Sequence, residues 1–217
     1  MTTAAPTDRV TLYYSPQTRA TGARVLLEEL GAPYDLHILN IKAAEQRKAA
    51  YLAINPLGKV PAIRHGDALV TEQVAIFIYL ADLFPQAGLT PALNDPRRGP
   101  YLRWIAYYGS SFEPAVIDHF MKRAPAPITQ SPYADYDTML AALEAQLAKG
   151  PYLFGEEITA ADILWGIAFN WTMMFGIVPK RGVFVRYAER IAARPAFQRI
   201  AKADDELAAQ HAAAAGV

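Results

Sequence analysis

The spacing of apolar residues changes character along the chain at about residue 85. Before that point, short runs of β-branched and aromatic residues alternate with segments whose apolar residues recur every three or four positions. The runs are typical of buried strands, and the recurring pattern is typical of helices. The sequence therefore predicts strands at residues 10–14, 34–39, 60–64 and 68–71, helices at 19–30 and 74–84, and a helix or irregular helical turn at 43–54.

The second part of the chain is predicted to be helical throughout. Residues 85–96 contain three prolines, which is typical of a linker. Helical patterns then follow at residues 97–112, 116–122, 133–149, 160–175, 183–194 and 195–211. We therefore expect an α+β chain: a βαβ–ββα domain at residues 1–84 that resembles a thioredoxin-like domain, a linker at 85–96, and an all-α helical bundle at 97–217.

The composition favours a folded protein without a strongly charged partner. Apolar residues make up 53% of the 217 positions, which is enough for a substantial core. Lys and Arg together number 21, as do Asp and Glu, and this balance argues against nucleic acid or a membrane surface as a partner. No segment approaches the roughly 18 apolar residues that cross a bilayer, and residues 1–8 lack the apolar run of a secretory signal. We therefore expect a cytoplasmic protein.

Residue types that bind metals or form covalent bonds are scarce. The chain has no cysteine, which excludes disulfides, thiolate metal sites and a cysteine nucleophile. Its histidines, at positions 37, 65, 119 and 211, do not have metal-ligand spacing with acidic neighbours. We therefore expect no bound metal.

Two short segments of the first domain predict a surface for an extended, charged peptide. Pro61 stands at the head of a strand, and a cis bond before it would leave the N–H and C=O of Val60 facing outward. An extended peptide pairs with such groups as an added strand does. Thr71-Glu72-Gln73 lies at a strand-to-helix junction, where free N–H groups and the helix dipole bind a carboxylate. The carboxylate of Glu72 can then face an ammonium group.

A capping box is predicted at the start of the helix at residues 160–175. The Thr159 hydroxyl can accept from the N–H of Asp162, and the Asp162 carboxylate can reach back to the cap residue. Ile158 and Ile163 occupy the positions of a hydrophobic staple. We assign this box a role in folding and no chemistry.

The order and spacing of three segments resemble the glutathione-binding half of a cytosolic glutathione transferase. They are Tyr14-Ser15-Pro16-Gln17-Thr18-Arg19, Asn55-Pro56-Leu57-Gly58-Lys59-Val60-Pro61 and Thr71-Glu72-Gln73, with the capping box as a later anchor. The second segment matches the family's pattern and implies a cis Val60–Pro61 bond. The register resembles the bacterial beta class, whose cysteine falls at Arg19 and whose helical histidine falls near Gly109. Both groups are absent here, so a mixed disulfide with the enzyme is excluded.

The resemblance implies reduced glutathione as co-substrate and a homodimer. Its glutathione-binding residues would be Val60, Pro61, Glu72, Gln73 and Lys42. Many family members have serine where this chain has glutamine at position 73, but the backbone N–H of that position is retained. Lys42 would reach the glycyl carboxylate.

A transferase must also stabilise the thiolate of glutathione, and a hydroxyl donor beside a helix N-terminus can do so. Ser15 directly follows the first strand, where serine-type classes carry their hydroxyl. Thr18 is the second candidate, since Thr18-Arg19-Ala20 resembles the Ser-Arg-Ser of some fungal and bacterial members. A hydroxyl of Tyr13 or Tyr14 and the charge of Arg19 are further alternatives.

In the family, the electrophile binds against the first helices of the second domain. Tyr107, Tyr108 and Phe112 are the residues there that would line an apolar pocket. We therefore expect a glutathione transferase-like enzyme that conjugates the glutathione thiolate to a small hydrophobic electrophile. Two alternatives remain: a non-catalytic glutathione-binding or scaffold protein, favoured by Gln73 and the missing beta-class groups, and a glutathione-dependent dehalogenase or isomerase.

Overall fold

The computed structural model describes residues 9–216, so the prediction about a signal at residues 1–8 lies outside the described residues. It has two compact units, one of Met1–Ala87 with Pro195–Val217 and the other of Gly88–Arg194. The strands are β1 (Val10–Tyr14), β2 (Tyr34–Ile38), β3 (Ala62–His65) and β4 (Ala68–Val70). The helices are α1 (Ala20–Glu29), α2 (Ala49–Leu52), α3 (Gln73–Leu83), α4 (Arg98–Tyr107), α5 (Glu113–Phe120), α6 (Tyr136–Leu147), α7 (Ala160–Met174), α8 (Gly182–Ala192) and α9 (Pro195–Ala215).

The first unit is built on a mixed four-stranded sheet in the order β2-β1-β3-β4. β1 is parallel to β2 because α1 connects them as a crossover, whereas β3 is antiparallel to both β1 and β4. Leu12 of β1 is fully buried and lies opposite Leu36 of β2 and Ile63 of β3. The predicted βαβ–ββα, thioredoxin-like arrangement is confirmed.

The segment predicted as a helix or irregular helical turn at residues 43–54 is irregular. A 3₁₀ turn at Glu45–Arg47 precedes the four-residue α2. Ala44 has a left-handed backbone with φ 55°, and Lys48 is extended with ψ 148°. These two residues interrupt the i to i−4 hydrogen bonds that a continuous helix needs.

The last helix belongs to the first unit, whereas the sequence pattern places it in the second domain. α9 packs against α1, and its buried residues Ala196, Ile200 and Asp204 recur every four positions along one face. Helical periodicity predicts such a face but does not say which unit it covers. Although α9 has 21 residues, neither it nor any other helix within residues 9–216 is long and apolar enough to cross a membrane.

The second unit surrounds α7, in which eleven of fifteen residues are buried. The indole N–H of Trp165 donates to the Trp104 carbonyl at 3.0 Å, and its ring lies 5.0 Å from Phe112 and 5.8 Å from Phe169. α4 continues through a π-helical turn at Tyr108–Phe112 directly into α5. The predicted helical bundle is confirmed, without the break predicted after residue 112.

The predicted capping box opens α7. The Thr159 N–H donates to Asp162 Oδ2 at 2.8 Å, and the Thr159 side chain in turn accepts from the backbone of Asp162. The other carboxylate oxygen accepts from the Leu153 N–H and the Tyr187 hydroxyl, both at 2.7 Å. Burial raises the pKa of Asp162, while its hydrogen bonds act in the opposite direction. The box therefore also ties the loop before α7 to α8.

Candidate active site

The turn before β3 presents an unpaired backbone. The Val60–Pro61 bond is cis, as predicted. The carbonyl of Lys59 accepts from the Tyr51 hydroxyl at 2.6 Å and from the Asn55 amide at 2.9 Å. Within residues 9–216, no group hydrogen-bonds to the N–H or C=O of Val60. This residue therefore retains a free donor and a free acceptor for a peptide.

Packing holds this turn in place. The Val60 side chain packs against a small cluster of buried residues, Tyr13, Leu39, Tyr51 and Ala62. Gly58 has φ 60°, and a Cβ there would lie 2.6 Å from Arg47 Nη1 and 2.8 Å from the Gln46 carbonyl. The turn thus requires glycine at position 58 both for its left-handed backbone and for space.

The start of α3 has a strained backbone. Glu72 precedes the helix with φ 65° and ψ 118°, a conformation that L residues rarely adopt, and it is exposed. Its side chain does not cap α3. The Gln73 amide donates to the Arg19 carbonyl at 3.4 Å, which brings the start of α3 to the loop between β1 and α1. Strain of this kind is concentrated at functional sites.

The loop between β1 and α1 holds the two candidate hydroxyls in different surroundings. Ser15 is 1% exposed, and its hydroxyl has no hydrogen-bond partner within residues 9–216. Thr18 is partly exposed, and its hydroxyl donates to the Ser15 carbonyl at 2.7 Å. The same oxygen accepts from the Ala20 N–H at 3.1 Å, in the first turn of α1. Gln17, between the two, has a left-handed backbone with φ 54°.

The two tyrosine alternatives are core residues. Tyr13 and Tyr14 are both buried. The ring of Tyr13 lies 5.0 Å from His37 and 5.8 Å from Tyr51, so it packs within the unit. Both side chains contribute to the core of the first unit. Arg19 is partly exposed at the start of α1.

Lys42 lies exposed in the loop after β2. Its N–H donates to Asn40 Oδ1 at 3.0 Å, and the Asn40 amide donates to the His211 carbonyl of α9 at 3.1 Å. The backbone of this loop is therefore fixed while the lysine side chain faces solvent. Within residues 9–216, no three His, Cys, Asp or Glu side chains are grouped as metal ligands.

The three residues predicted for an electrophile pocket differ in exposure. Tyr108 and Phe112 are fully buried and pack edge-on against Trp165, at 5.6 Å and 5.0 Å. Tyr107 is partly exposed, and the Arg103 guanidinium lies 5.1 Å from its ring centre. Burial raises the pKa of Tyr107. Among the three, Tyr107 presents a surface to solvent.

Asp204 was not predicted from the sequence to belong to the site. This buried residue of α9 accepts a hydrogen bond from the Gln17 N–H, 187 positions earlier in the chain. The sequence does contain an indication of its role, because Asp204 is an acidic residue at the four-residue spacing of Ala196 and Ile200, on the apolar face of a predicted helix. A charged residue in such a position needs a partner.

Two family models match the chain. The model described as "Glutathione S-transferase, N-terminal domain" matches residues 8–82, and the one described as "Glutathione S-transferase, C-terminal domain" matches residues 133–175. Glutathione S-transferase PARB of Nicotiana tabacum is 28% identical over 165 residues, which cover 71% of this chain and 78% of the relative. The first match contains all three segments on which the resemblance rests.

Solved structures match in both sequence and fold. A sphingomonad glutathione S-transferase complexed with glutathione is 29% identical with a TM-score of 0.74, covering 90% of this chain and 98% of its own. A bacterial beta-class glutathione S-transferase from Sphingomonas chungbukensis is 28% identical with a TM-score of 0.73, and the match covers 89% of this chain and 98% of that protein's chain. Together with the two family models, these likenesses show that the chain belongs to the glutathione S-transferase family.

Proposed function

We propose that this protein binds reduced glutathione along Val60 and the start of α3 and joins its sulfur to a small apolar electrophile. One observation carries the proposal. Glu72, in a strained backbone conformation, opens α3, and Gln73 next to it hydrogen-bonds to the loop that holds the candidate hydroxyls. A carboxylate-binding helix start is thereby adjacent to a candidate thiol partner.

The binding groups fit the three charged or polar parts of glutathione. The free N–H and C=O of Val60, held by the cis Pro61, would pair with the peptide backbone. The N–H of Gln73 and the dipole of α3 would bind the γ-glutamyl carboxylate, and Glu72 would face the ammonium group. We propose Lys42 for the glycyl carboxylate, because it is exposed on a fixed loop.

The chemistry requires a thiolate and a place for its charge. A free thiol with a pKa near 8.5 is mostly protonated at neutral pH, and a hydroxyl donor at a helix N-terminus lowers that value. We propose the hydroxyl of Thr18, with Ser15 as the alternative. The proton of the thiol leaves to solvent, the sulfur electron pair forms the new S–C bond, and the leaving group departs with its own bonding pair.

Several finer points are part of the same proposal. Tyr107 supplies exposed aromatic surface for the electrophile. We also propose a homodimer, as the resemblance to the family implies. The cytoplasm, where reduced glutathione is abundant, is the proposed compartment.

Calorimetric titration with glutathione tests the proposal. We expect binding with Kd between about 0.01 and 1 mM, followed by turnover with a panel of activated electrophiles. Glu72→Ala should weaken glutathione binding about tenfold, because it removes a charge-assisted contact. Asp67→Asn, at an exposed acid in the turn between β3 and β4, is the matched control and should bind as wild type does.

Absence of heat at about 10 mM glutathione would contradict the binding site. Binding without turnover of any electrophile would instead favour a non-catalytic scaffold. Equal affinities of the Glu72→Ala and Asp67→Asn proteins would remove Glu72 from the proposed site.

A further inference from the structure

A buried carboxylate on α9 holds the loop between β1 and α1. Asp204 is 3% exposed. Its Oδ2 accepts from the Gln17 N–H at 3.1 Å and from the Thr21 hydroxyl. These two donors lie on either side of Thr18, one in the loop and the other in the first turn of α1.

The loop needs such a partner because its backbone is unusual. Gln17 has φ 54°, a left-handed conformation that is unfavourable for residues other than glycine. The hydrogen bond from its N–H to an ionised acceptor offsets this cost. The neighbouring Thr18 hydroxyl bonds within the same loop, to the Ser15 carbonyl and the Ala20 N–H. The position of this hydroxyl therefore depends on a conformation that α9 stabilises.

Charged groups on both helices face Asp204. From α1, Arg24 Nη1 lies 3.9 Å from Asp204 Oδ1, and its guanidinium covers the ring of Tyr14 at 5.1 Å. On α9 itself, the exposed Asp205 accepts from the Gln17 side-chain amide at 3.1 Å. Burial, and to a smaller degree the charge of Asp205, raise the pKa of Asp204 to about 6. The carboxylate is thus ionised at neutral pH and can accept both hydrogen bonds.

We infer that Asp204 is a positioning residue for the transferase reaction, which holds Gln17 and Thr21 so that the Thr18 hydroxyl and the start of α1 face the sulfur of bound glutathione. This inference rests on the proposed function and adds a residue from the opposite end of the chain. Asp204 acts on the thiol through Thr18, so it does not itself contact glutathione. Its loss should therefore raise the pKa of the bound thiol without weakening the binding of the peptide.

The test compares Asp204→Asn and Asp204→Ala with Asp205→Asn. The control removes a neighbouring charge that contacts the Gln17 side chain but not its backbone. Four measurements are made: amide hydrogen exchange at Gln17, the pH dependence of the ultraviolet absorbance of the bound thiolate, kcat/KM near pH 6.5, and the affinity for S-methylglutathione, which has no thiol.

Asp204→Ala should exchange the Gln17 amide at least about tenfold faster than wild type, and Asp204→Asn, whose amide oxygen still accepts hydrogen bonds, should show a smaller increase. The pKa of the bound thiol should rise by about one unit, and kcat/KM near pH 6.5 should fall about tenfold. Affinity for S-methylglutathione should stay within about twofold, and the control should match wild type in all four measurements. Thr21→Val, which removes one donor and retains the side-chain shape, should shift the thiol pKa in the same direction by less.

Unchanged exchange at Gln17 in Asp204→Ala would overturn the inference, as would a thiol pKa equal to that of Asp205→Asn. A parallel loss of S-methylglutathione affinity and kcat/KM would also overturn it, because a merely structural role predicts that result. The exchange measurement needs no ligand, whereas the proposed function stands or falls on wild-type glutathione binding. Failure of the inference about Asp204 can therefore be distinguished from failure of the proposed function.

Discussion

Thr18 and Ser15 lie three positions apart, but only one of these hydroxyls has a surface from which to reach a ligand. Ser15 is buried, and Thr18 is partly exposed with its oxygen bonded to the first turn of α1. The Thr18 hydroxyl can turn from the Ser15 carbonyl to a thiolate and still accept from the Ala20 N–H. Its proton would then stabilise a charge instead of a neutral carbonyl, which is the stronger interaction.

Thr18→Val should therefore lower kcat/KM by about 10- to 100-fold, the range expected for a lost hydrogen bond of about 1.5–3 kcal/mol to a charged group. The substitution retains the shape of the side chain, and Thr18→Ser should restore most of the activity. Ser15→Ala should stay within about threefold of wild type. Steady-state assays with activated electrophiles measure these values. A larger loss of kcat/KM in Ser15→Ala than in Thr18→Val would identify Ser15 as the thiol partner.

Features of the site that depend on neighbouring residues could be predicted from the sequence, whereas contacts between distant residues could not. The cis bond at Val60–Pro61 and the strand-to-helix junction at residues 71–73 follow from short contiguous segments, and both were predicted. Burial of Tyr108 and Phe112 depends on Trp165, more than 50 positions later, so the sequence alone does not separate core from surface aromatics. The contact between Asp204 and Gln17 spans 187 positions and has no local signal beyond an acid on an apolar face.

The bounds of a helix or strand could be predicted well where the pattern of apolar residues is clear and its ends carry turn residues. β1 has the predicted bounds because a buried run ends at a Ser-Pro turn. The segment around α2 was ambiguous because its break depends on the left-handed Ala44, and alanine has no preference for that conformation. The helices α7 and α8 pack closely at Gly166 of α7, and the helical pattern of either segment does not identify the residue that this glycine contacts.

That residue is Ile191 of α8. A Cβ added at Gly166 would lie 2.3–2.9 Å from the side-chain carbons of this buried residue. Gly166→Ala should therefore destabilise the second unit by about 1–3 kcal/mol, despite the higher helix propensity of alanine. Gly99→Ala, in α4 with no atom within 4 Å of the new Cβ, is the matched control and should be neutral or stabilising. Denaturant unfolding of the two variants measures the difference, and equal stabilities would contradict this packing.

At the scale of the molecule, the chain leaves its first unit at Ala87 and returns to it at Pro195. A boundary near residue 85 is visible in the sequence because strand patterns stop there. The return of the chain to the first unit at Pro195 cannot be predicted from the sequence, because α9 follows another helix and continues the helical pattern. Its role appears only in the contacts of Ile200 and Asp204, which bury one face of α9 within a unit formed by the other end of the chain.

The first unit should therefore depend on the C-terminal residues for stability. A chain ending at residue 194 loses the burial of Ile200 and both hydrogen bonds to Asp204, and we expect the free energy of unfolding of this unit to fall by about 3–5 kcal/mol. A chain that ends at residue 211 retains these contacts and is the control. Hydrogen exchange should accelerate in residues 10–83 of the shorter chain, while residues 98–192 keep their protection. Equal acceleration in both regions would mean that α9 stabilises the whole molecule and not the first unit in particular.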